Sequence, residues 1–146
     1  MENLEIQIEN LRKADLASYK VLIDANFGNS SALAIYEESF DEDSLNYKVV
    51  VAKHDDVIVG SVTYYKINLF MWAKQPALEL FNVCVLKDYR RHDIARKLFG
   101  HIIGVAKNEG YKSIYINCLK EAYGAHKLYE SLGFKQDSTI KFTLDL

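Results

Sequence analysis

Between Leu78 and Cys118 the sequence passes from a β-rich apolar run (Leu78–Leu86) through a basic bend into a long amphipathic stretch, and then into a second β-rich run (Ser113–Cys118). No other feature narrows the fold as much. Two strands bracketing one helix want parallel pairing and a right-handed crossover. The helix is expected from about His92 to Glu109, with Ile94, Leu98, Ile102 and Val105 on one stripe and Gly110 just past its end.

The flanks add an antiparallel part. Leu4, Ile6 and Ile8 alternate with polar residues, as in a strand. Asp15 to Phe27 has helical spacing, with Asp15 as N-cap, and Gly28 to Ser31 stops it. Ser31 is placed to cap a second helix running through Ile35 to Phe40. Tyr47–Ala52 and Val57–Asn68 form a hairpin across His54-Asp55-Asp56. Ala122 to Leu132 is a further helix closed by Gly133, and Ile140, Phe142 and Leu144 alternate in a last strand or pair of strands. The expected class is α/β (α+β): a mixed, mostly antiparallel sheet with a central parallel β-α-β unit and helices on both faces. With no linker, repeat or low-complexity run, one domain over residues 1–146 is expected.

Composition excludes several functions. Eighteen basic and 20 acidic residues give a net charge of −2, so no overall basic field exists for nucleic acid or an anionic membrane. No Cys/His cluster has metal-ligand spacing, and two cysteines are too few for a disulfide scaffold. The first residues lack a basic and apolar leader pattern, and no stretch approaches a membrane span. A cytoplasmic protein is the expectation.

The chemistry is expected at the basic bend. A strand ends near Leu86, and Arg90, Arg91 and His92 stand where a helix begins, with Arg96 and Lys97 a turn later. Free N–H groups and the positive dipole end make such a start a natural phosphate cradle. The glycine fingerprints of dinucleotide and P-loop sites are missing.

Arg90-Arg91-His92-Asp93-Ile94-Ala95 resembles motif A of the GNAT superfamily of acetyl-CoA-dependent N-acetyltransferases, in which Arg/Gln-x-x-Gly-x-Gly/Ala opens a helix after an apolar strand. Leu128-Tyr129-Glu130-Ser131-Leu132-Gly133-Phe134 is similar to the L-Y-x-x-x-G-F signature of the family's last helix, and Val57-Ile58-Val59-Gly60-Ser61 to the V-V-G strand before motif A. The Ile8 to Leu16 piece resembles the family's opening strand and first helix, so the likeness covers essentially the whole chain. Asp93 departs from the pattern: it replaces the turn glycine and brings a Cβ and a carboxylate to the phosphate position. Ala95 fits.

The resemblance implies acetyl transfer from acetyl-CoA, as cosubstrate, to a primary amine of a small molecule or peptide, by direct attack in a ternary complex. It implies pantetheine along Val83 and Val85, pyrophosphate on the amides from Arg91 through Arg96, and Asn117 as a pantetheine contact. It implies Tyr129 as general acid for the thiolate and Glu79 as base, with a water relay as the alternative. By simple alternation Glu79, Phe81, Val83 and Val85 share one face, and Asn82 points the other way. Cys84 and Cys118 are expected as small buried hydrophobes, and His126 as a surface residue one turn before Tyr129. Tyr64, Tyr65, Phe70, Met71 and Trp72 form an aromatic zone of the kind that borders a ligand or a homodimer surface. Asp93 also motivates a second reading, a degenerate GNAT-fold protein that binds CoA weakly or not at all and acts as a binding or regulatory module.

Overall fold

The computed structural model describes residues 4–146. Part of the leader expectation falls on residues 1–3, outside those described. Five strands form one sheet in the order β1-β2-β3-β4-β5: β1 Gln7–Asn10, β2 Tyr47–His54, β3 Val57–Ile67, β4 Ala77–Val85 and β5 Ser113–Ile116. The first three pairings are antiparallel and β4–β5 is parallel, so the mixed, mostly antiparallel sheet is as expected, with its parallel pair at one end.

The helices are α1 Leu16–Phe27, α2 Leu33–Ser39, α3 Ile94–Asn108 and α4 Tyr123–Ser131. They cover both faces. On one, Ile94, Leu98, Phe99, Ile102 and Ala106 of α3 join Tyr129 of α4 over Val50, Val62, Leu78 and Leu80. On the other, Leu16, Tyr19, Leu22 and Ile23 of α1 pack on Val49, Val51, Ile58 and Cys84. Burying each such large apolar side chain stabilises the fold by about 1.5–3 kcal/mol.

Local chemistry explains most element ends. Asp55 and Asp56 both have left-handed φ (48° and 64°), as a two-residue hairpin turn needs in order to match the strand twist. Gly110 (φ 80°) and Gly133 (φ 96°) follow α3 and α4 as expected. Gly60 is required by packing: a Cβ there would lie 2.9 Å from Ile94 Cγ2 and 3.3 Å from both the Cys84 carbonyl oxygen and Leu98 Cδ1. Its bare backbone lets α3 seat on the sheet.

Several expectations are corrected. Asp15 does not cap α1 with its side chain; its carboxylate receives Lys53 Nζ at 2.6 Å, and that ammonium also meets Glu9 at 2.7 Å, tying β1 and α1 to β2. These carboxylates push the Lys53 pKa up. Ser31 caps nothing, since α2 starts two residues later with Ala32 at its N-cap. Beyond α4 there is no strand: residues 135–146 join neither a helix nor the sheet.

Candidate active site

Strand β4 carries the main departure from simple alternation. Asn82 has φ 56°, and the β3–β4 register shifts there: Thr63 faces Phe81 while Ser61 faces Cys84. One extra residue in β4 makes a bulge, and a bulge exchanges the faces of everything beyond it. Glu79 and Phe81 therefore share a face with Cys84, toward α1. Val83 and Val85 share the α3 face with Leu78 and Leu80, and pack against the α3 cluster. The shared face expected for Glu79, Phe81, Val83 and Val85 does not exist.

The bulge coincides with a parting of strands. β4 pairs with β5 only from Ala77 to Leu80. From Phe81 to Val85 its outer edge has no strand partner among the described residues. The Leu86 N–H bonds inward to the Val59 carbonyl at 2.8 Å, so by ladder alternation Val83 and Val85 present their backbone groups to the open side. An extended ligand can add there as a strand does.

At the top of this cleft the chain turns through Arg90–Asp93 into α3. Arg91 (φ 67°) and Asp93 (φ 58°) are both left-handed, and the Asp93 side chain at the N-cap makes no capping hydrogen bond. The Lys97 N–H bonds to the Asp93 carbonyl at 3.0 Å, leaving the amides of Ile94, Ala95 and Arg96 at the mouth of the helix. Asp93 thus adopts the backbone shape a glycine would take, which aspartate tolerates better than most residues. Its carboxylate is exposed and lies 3.8 Å from Arg96 Nε.

The arginines divide the work. Arg90 folds back, with Nε donating to the Val85 carbonyl and Nη2 to Asn26 Oδ1, both at 3.2 Å. It braces the bend against α1 beside a cleft of about 270 Å³. Arg96 Nη2 donates to Ser131 Oγ at 2.8 Å, linking the start of α3 to the end of α4.

On the α1 face of β4 a groove of about 410 Å³ is lined by Tyr65, Ile67, Glu79, Phe81 and Asn82. Glu79 sits half-buried on its floor, opposite Tyr65 in the register. Phe40, Tyr47, Tyr65 and Phe81 form a continuous aromatic row, with centroids 6.4, 5.7 and 5.4 Å apart in turn. Phe70 and Met71 stand 98% and 78% exposed on the short helical turn Phe70–Trp72 before β4. This apolar floor with one carboxylate suits an amine on an organic skeleton.

The whole arrangement matches known proteins. The model of the Acetyltransferase (GNAT) family matches residues 11–134. The chain belongs to the GNAT family. It is 36% identical over 62 residues to the [Ribosomal protein bS18]-alanine N-acetyltransferase of Escherichia coli (strain K12), covering 42% of this chain and 41% of that protein. Against human N-acetyltransferase 8 it is 28% identical over 86 residues, 59% of this chain and 37% of that one. The matches thus span about two-fifths of these relatives' lengths. In fold it is similar to aminoglycoside N-acetyltransferase AAC(6')-Iy in complex with CoA, with TM-score 0.83, 17% identity, and 99% and 97% of the two chains covered. No helix among the described residues is long and apolar enough to cross a membrane.

The remaining GNAT motif residues fall as follows. Tyr129 lies 9% exposed against Phe99 and Phe134, with centroids 5.5 and 5.9 Å away. Burial, aided by the Cys118 thiol, pushes its pKa up to about 12, so it stays protonated at neutral pH. Asn117 is exposed just past β5. Cys84 is buried, and burial lifts its thiol to about 12, far from a nucleophile's range. Cys118 is exposed, contrary to expectation, because β5 ends at Ile116. His126 bonds the Leu119 carbonyl at 3.0 Å, holding the loop before α4. Tyr64 leaves the expected aromatic zone: it faces the α3 core, while Tyr65 lines the groove. The sequence reading missed Ile67, Tyr47 and Phe40. Tyr47 and Tyr65, aligned across the hairpin, were the available signal.

Proposed function

We propose that residues 1–146 form one cytoplasmic domain that transfers the acetyl group of acetyl-CoA to a primary amine of a small molecule or peptide, by direct attack in a ternary complex. The observation that carries this reading is the open β4 edge at Val83 and Val85 running up to an uncapped helix start. Acetyl-CoA would supply the activated thioester. Val83 and Val85 would pair with its pantetheine arm, with Asn117 on the far lip of the cleft, and a strand amide near Val83 would donate to the developing oxyanion. The amides of Ile94, Ala95 and Arg96, with Arg91, His92 and Arg96, would take the pyrophosphate, and the Arg96 guanidinium offsets the Asp93 carboxylate beside it.

Glu79 would take the proton that the ammonium must lose before its nitrogen attacks. As the C–N bond forms and the C–S bond breaks, charge moves to sulfur. A free thiol titrates near about 8.5. Tyr129, at about 12, therefore serves that thiolate best as a hydrogen-bond donor, since full proton transfer would run uphill.

A second reading keeps the fold without the chemistry, and the Asp93 carboxylate at the phosphate turn favours it: a binding or regulatory module with little or no affinity for CoA. Calorimetry with acetyl-CoA on the parent and Asp93→Gly, followed by an amine screen with free-thiol detection, separates the two. Binding by the parent and tighter binding by Asp93→Gly are expected, up to about tenfold for removal of roughly 1 kcal/mol of charge repulsion, while relief of the left-handed strain, present with or without ligand, raises stability alone. No binding by either protein overturns the transferase reading.

A further inference from the structure

The turn between β3 and β4 holds its largest apolar side chains in water. Leu69, Phe70, Met71 and Trp72 are 58%, 98%, 78% and 55% exposed, four in succession. Single apolar residues scattered on a surface need no explanation, but an unbroken run does. The run is held in shape by its own backbone. The Trp72 N–H bonds to the Leu69 carbonyl at 3.0 Å and the Gln75 N–H to the Trp72 carbonyl at 2.8 Å, which makes the turn a blunt knob. At the same end of the sheet the Lys66 N–H bonds to the Asn46 carbonyl at 2.8 Å, and Leu45, next to Asn46, is exposed as well.

The charges beside the knob are basic. From Val57 to Leu78 the chain has no acidic residue, in a sequence with 20 of them, and the two charged side chains of that stretch are Lys66 and Lys74. The Lys112 N–H bonds to the Pro76 carbonyl at 2.8 Å, which adds a third ammonium from just before β5. None of these three lysines forms an ion pair among the described residues. Asp43, two residues before Leu45, and Glu109, at the C-cap of α3, stand against them. The net charge of −2 exerts no overall pull on an anionic surface, so any attraction has to be local, as it is here.

We propose that the Leu69–Trp72 turn inserts into the interfacial layer of an anionic lipid bilayer, with Lys66, Lys74 and Lys112 on the headgroups. Tryptophan and phenylalanine favour that layer, where an amphipathic ring meets both water and acyl chain. Lysines beside them lay their stems on apolar surface and bring their charges to anionic lipid. A second copy of the chain fits this surface less well. Pairing turn to turn about a two-fold axis would set the lysines of one copy against those of the other, and head-to-tail contact would not close at two. Shallow insertion of a turn holds a folded domain at a bilayer without any spanning helix. This inference is independent of the proposed reaction.

Vesicle flotation and the emission of Trp72, the chain's single tryptophan, test it. With vesicles of phosphatidylcholine and about one-third phosphatidylserine, the parent should float and its emission should move to shorter wavelength. Lipid brominated in the acyl chains should quench that emission. Phe70→Ser/Met71→Ser should weaken binding by at least about tenfold, and so should vesicles of phosphatidylcholine alone. Both substituted side chains stand in water, so the variant should keep its circular dichroism; if it does not fold, quenching of Trp72 in the parent decides. A parent that stays in the soluble fraction, binds with unshifted and unquenched emission, or binds neutral vesicles equally well would overturn the proposal. So would a folded variant that binds as tightly as the parent. A dimer broken by the variant, with no vesicle binding by the parent, would also overturn it and assign the turn to a second copy.

Discussion

Replacing Gly60 by alanine tests the link between packing and the cofactor turn. The added Cβ would meet Ile94 Cγ2 at 2.9 Å, against about 3.5–4.0 Å for relaxed carbon contacts, so α3 must retreat by roughly 0.6–1 Å. Neither Ile94 nor Leu98 has room to yield, since both are fully buried. The Cys84 carbonyl at 3.3 Å blocks retreat in the other direction. Overpacking of this kind costs about 1–3 kcal/mol, and the entropy lost from the unfolded chain returns about 0.4–1 kcal/mol. A net loss of up to roughly 2.6 kcal/mol follows, lowering Tm by up to about 10 °C for a chain of this size. Ile94 opens α3, so the same displacement moves the amides next to Asp93. Urea titration should show the loss, and calorimetry should show weaker acetyl-CoA binding. In a double-mutant cycle, Ile94→Ala removes the offending methyl group, so the pair should cost less than the sum of its parts. Unchanged stability with additive energies would refute the argument from close approach.

Three further outcomes are expected. Tyr129→Phe should lower kcat by about 10–150-fold, the equivalent of one hydrogen bond to a charged group, with acetyl-CoA affinity and Tm nearly unchanged, because its hydroxyl has no hydrogen-bond partner among the described residues; stopped-flow thiol release checks this, and unchanged turnover removes Tyr129 from the reaction. Glu79→Gln should cost about 10²-fold or more near pH 6.5 and progressively less toward pH 9, where the acceptor already carries a free amine; a mutant-to-parent ratio flat across pH would count against a base at this position. Burial lifts Tyr19, Tyr64, Tyr129 and Cys84 to about 12 from ordinary values of 10.0 and 9.0. The folded state therefore holds these protons longer than the unfolded chain, so stability is complete below about pH 9 and falls between there and pH 12; urea midpoints measured from pH 8 to 11 should decline, and a level profile would contradict these assignments.

The elements that pack by regular repeats were legible in the sequence. The stripe Ile94, Leu98 and Ile102 placed α3 on the sheet, and Gly110 marked its end, because both follow from helical period and backbone freedom. The basic turn was legible for the same reason. The pairing of Glu79 with Val83 failed because period-two reasoning assumes an unbroken ladder, and the residue that breaks it, Asn82, differs from its neighbours in φ and not in hydropathy. The final strand failed differently. Its alternation is real, but Ile140, Phe142 and Leu144 stay exposed outside the sheet, because alternation marks a face that could be covered and supplies no partner strand. At Asp93 an arginine partner is expected from charge alone, and Arg96 Nε lies 3.8 Å from its carboxylate; the left-handed φ of Asp93 depends on torsion, which residue identity alone does not encode.

The inserted residue in β4 has a wider consequence. Without it, the side chains of Glu79, Phe81, Val83 and Val85 would all crowd one face, and the groove could not be tuned without touching the residues at the open edge. With it, under the proposed reaction, one strand would offer side chains on its α1 face to the acceptor and main-chain groups on its open edge to the acyl donor. If the proposed reaction holds, substitutions around Tyr65 and Phe81 would change the acceptor while leaving the main-chain edge at Val83 and Val85 as it was, which would give such a small scaffold room to diversify.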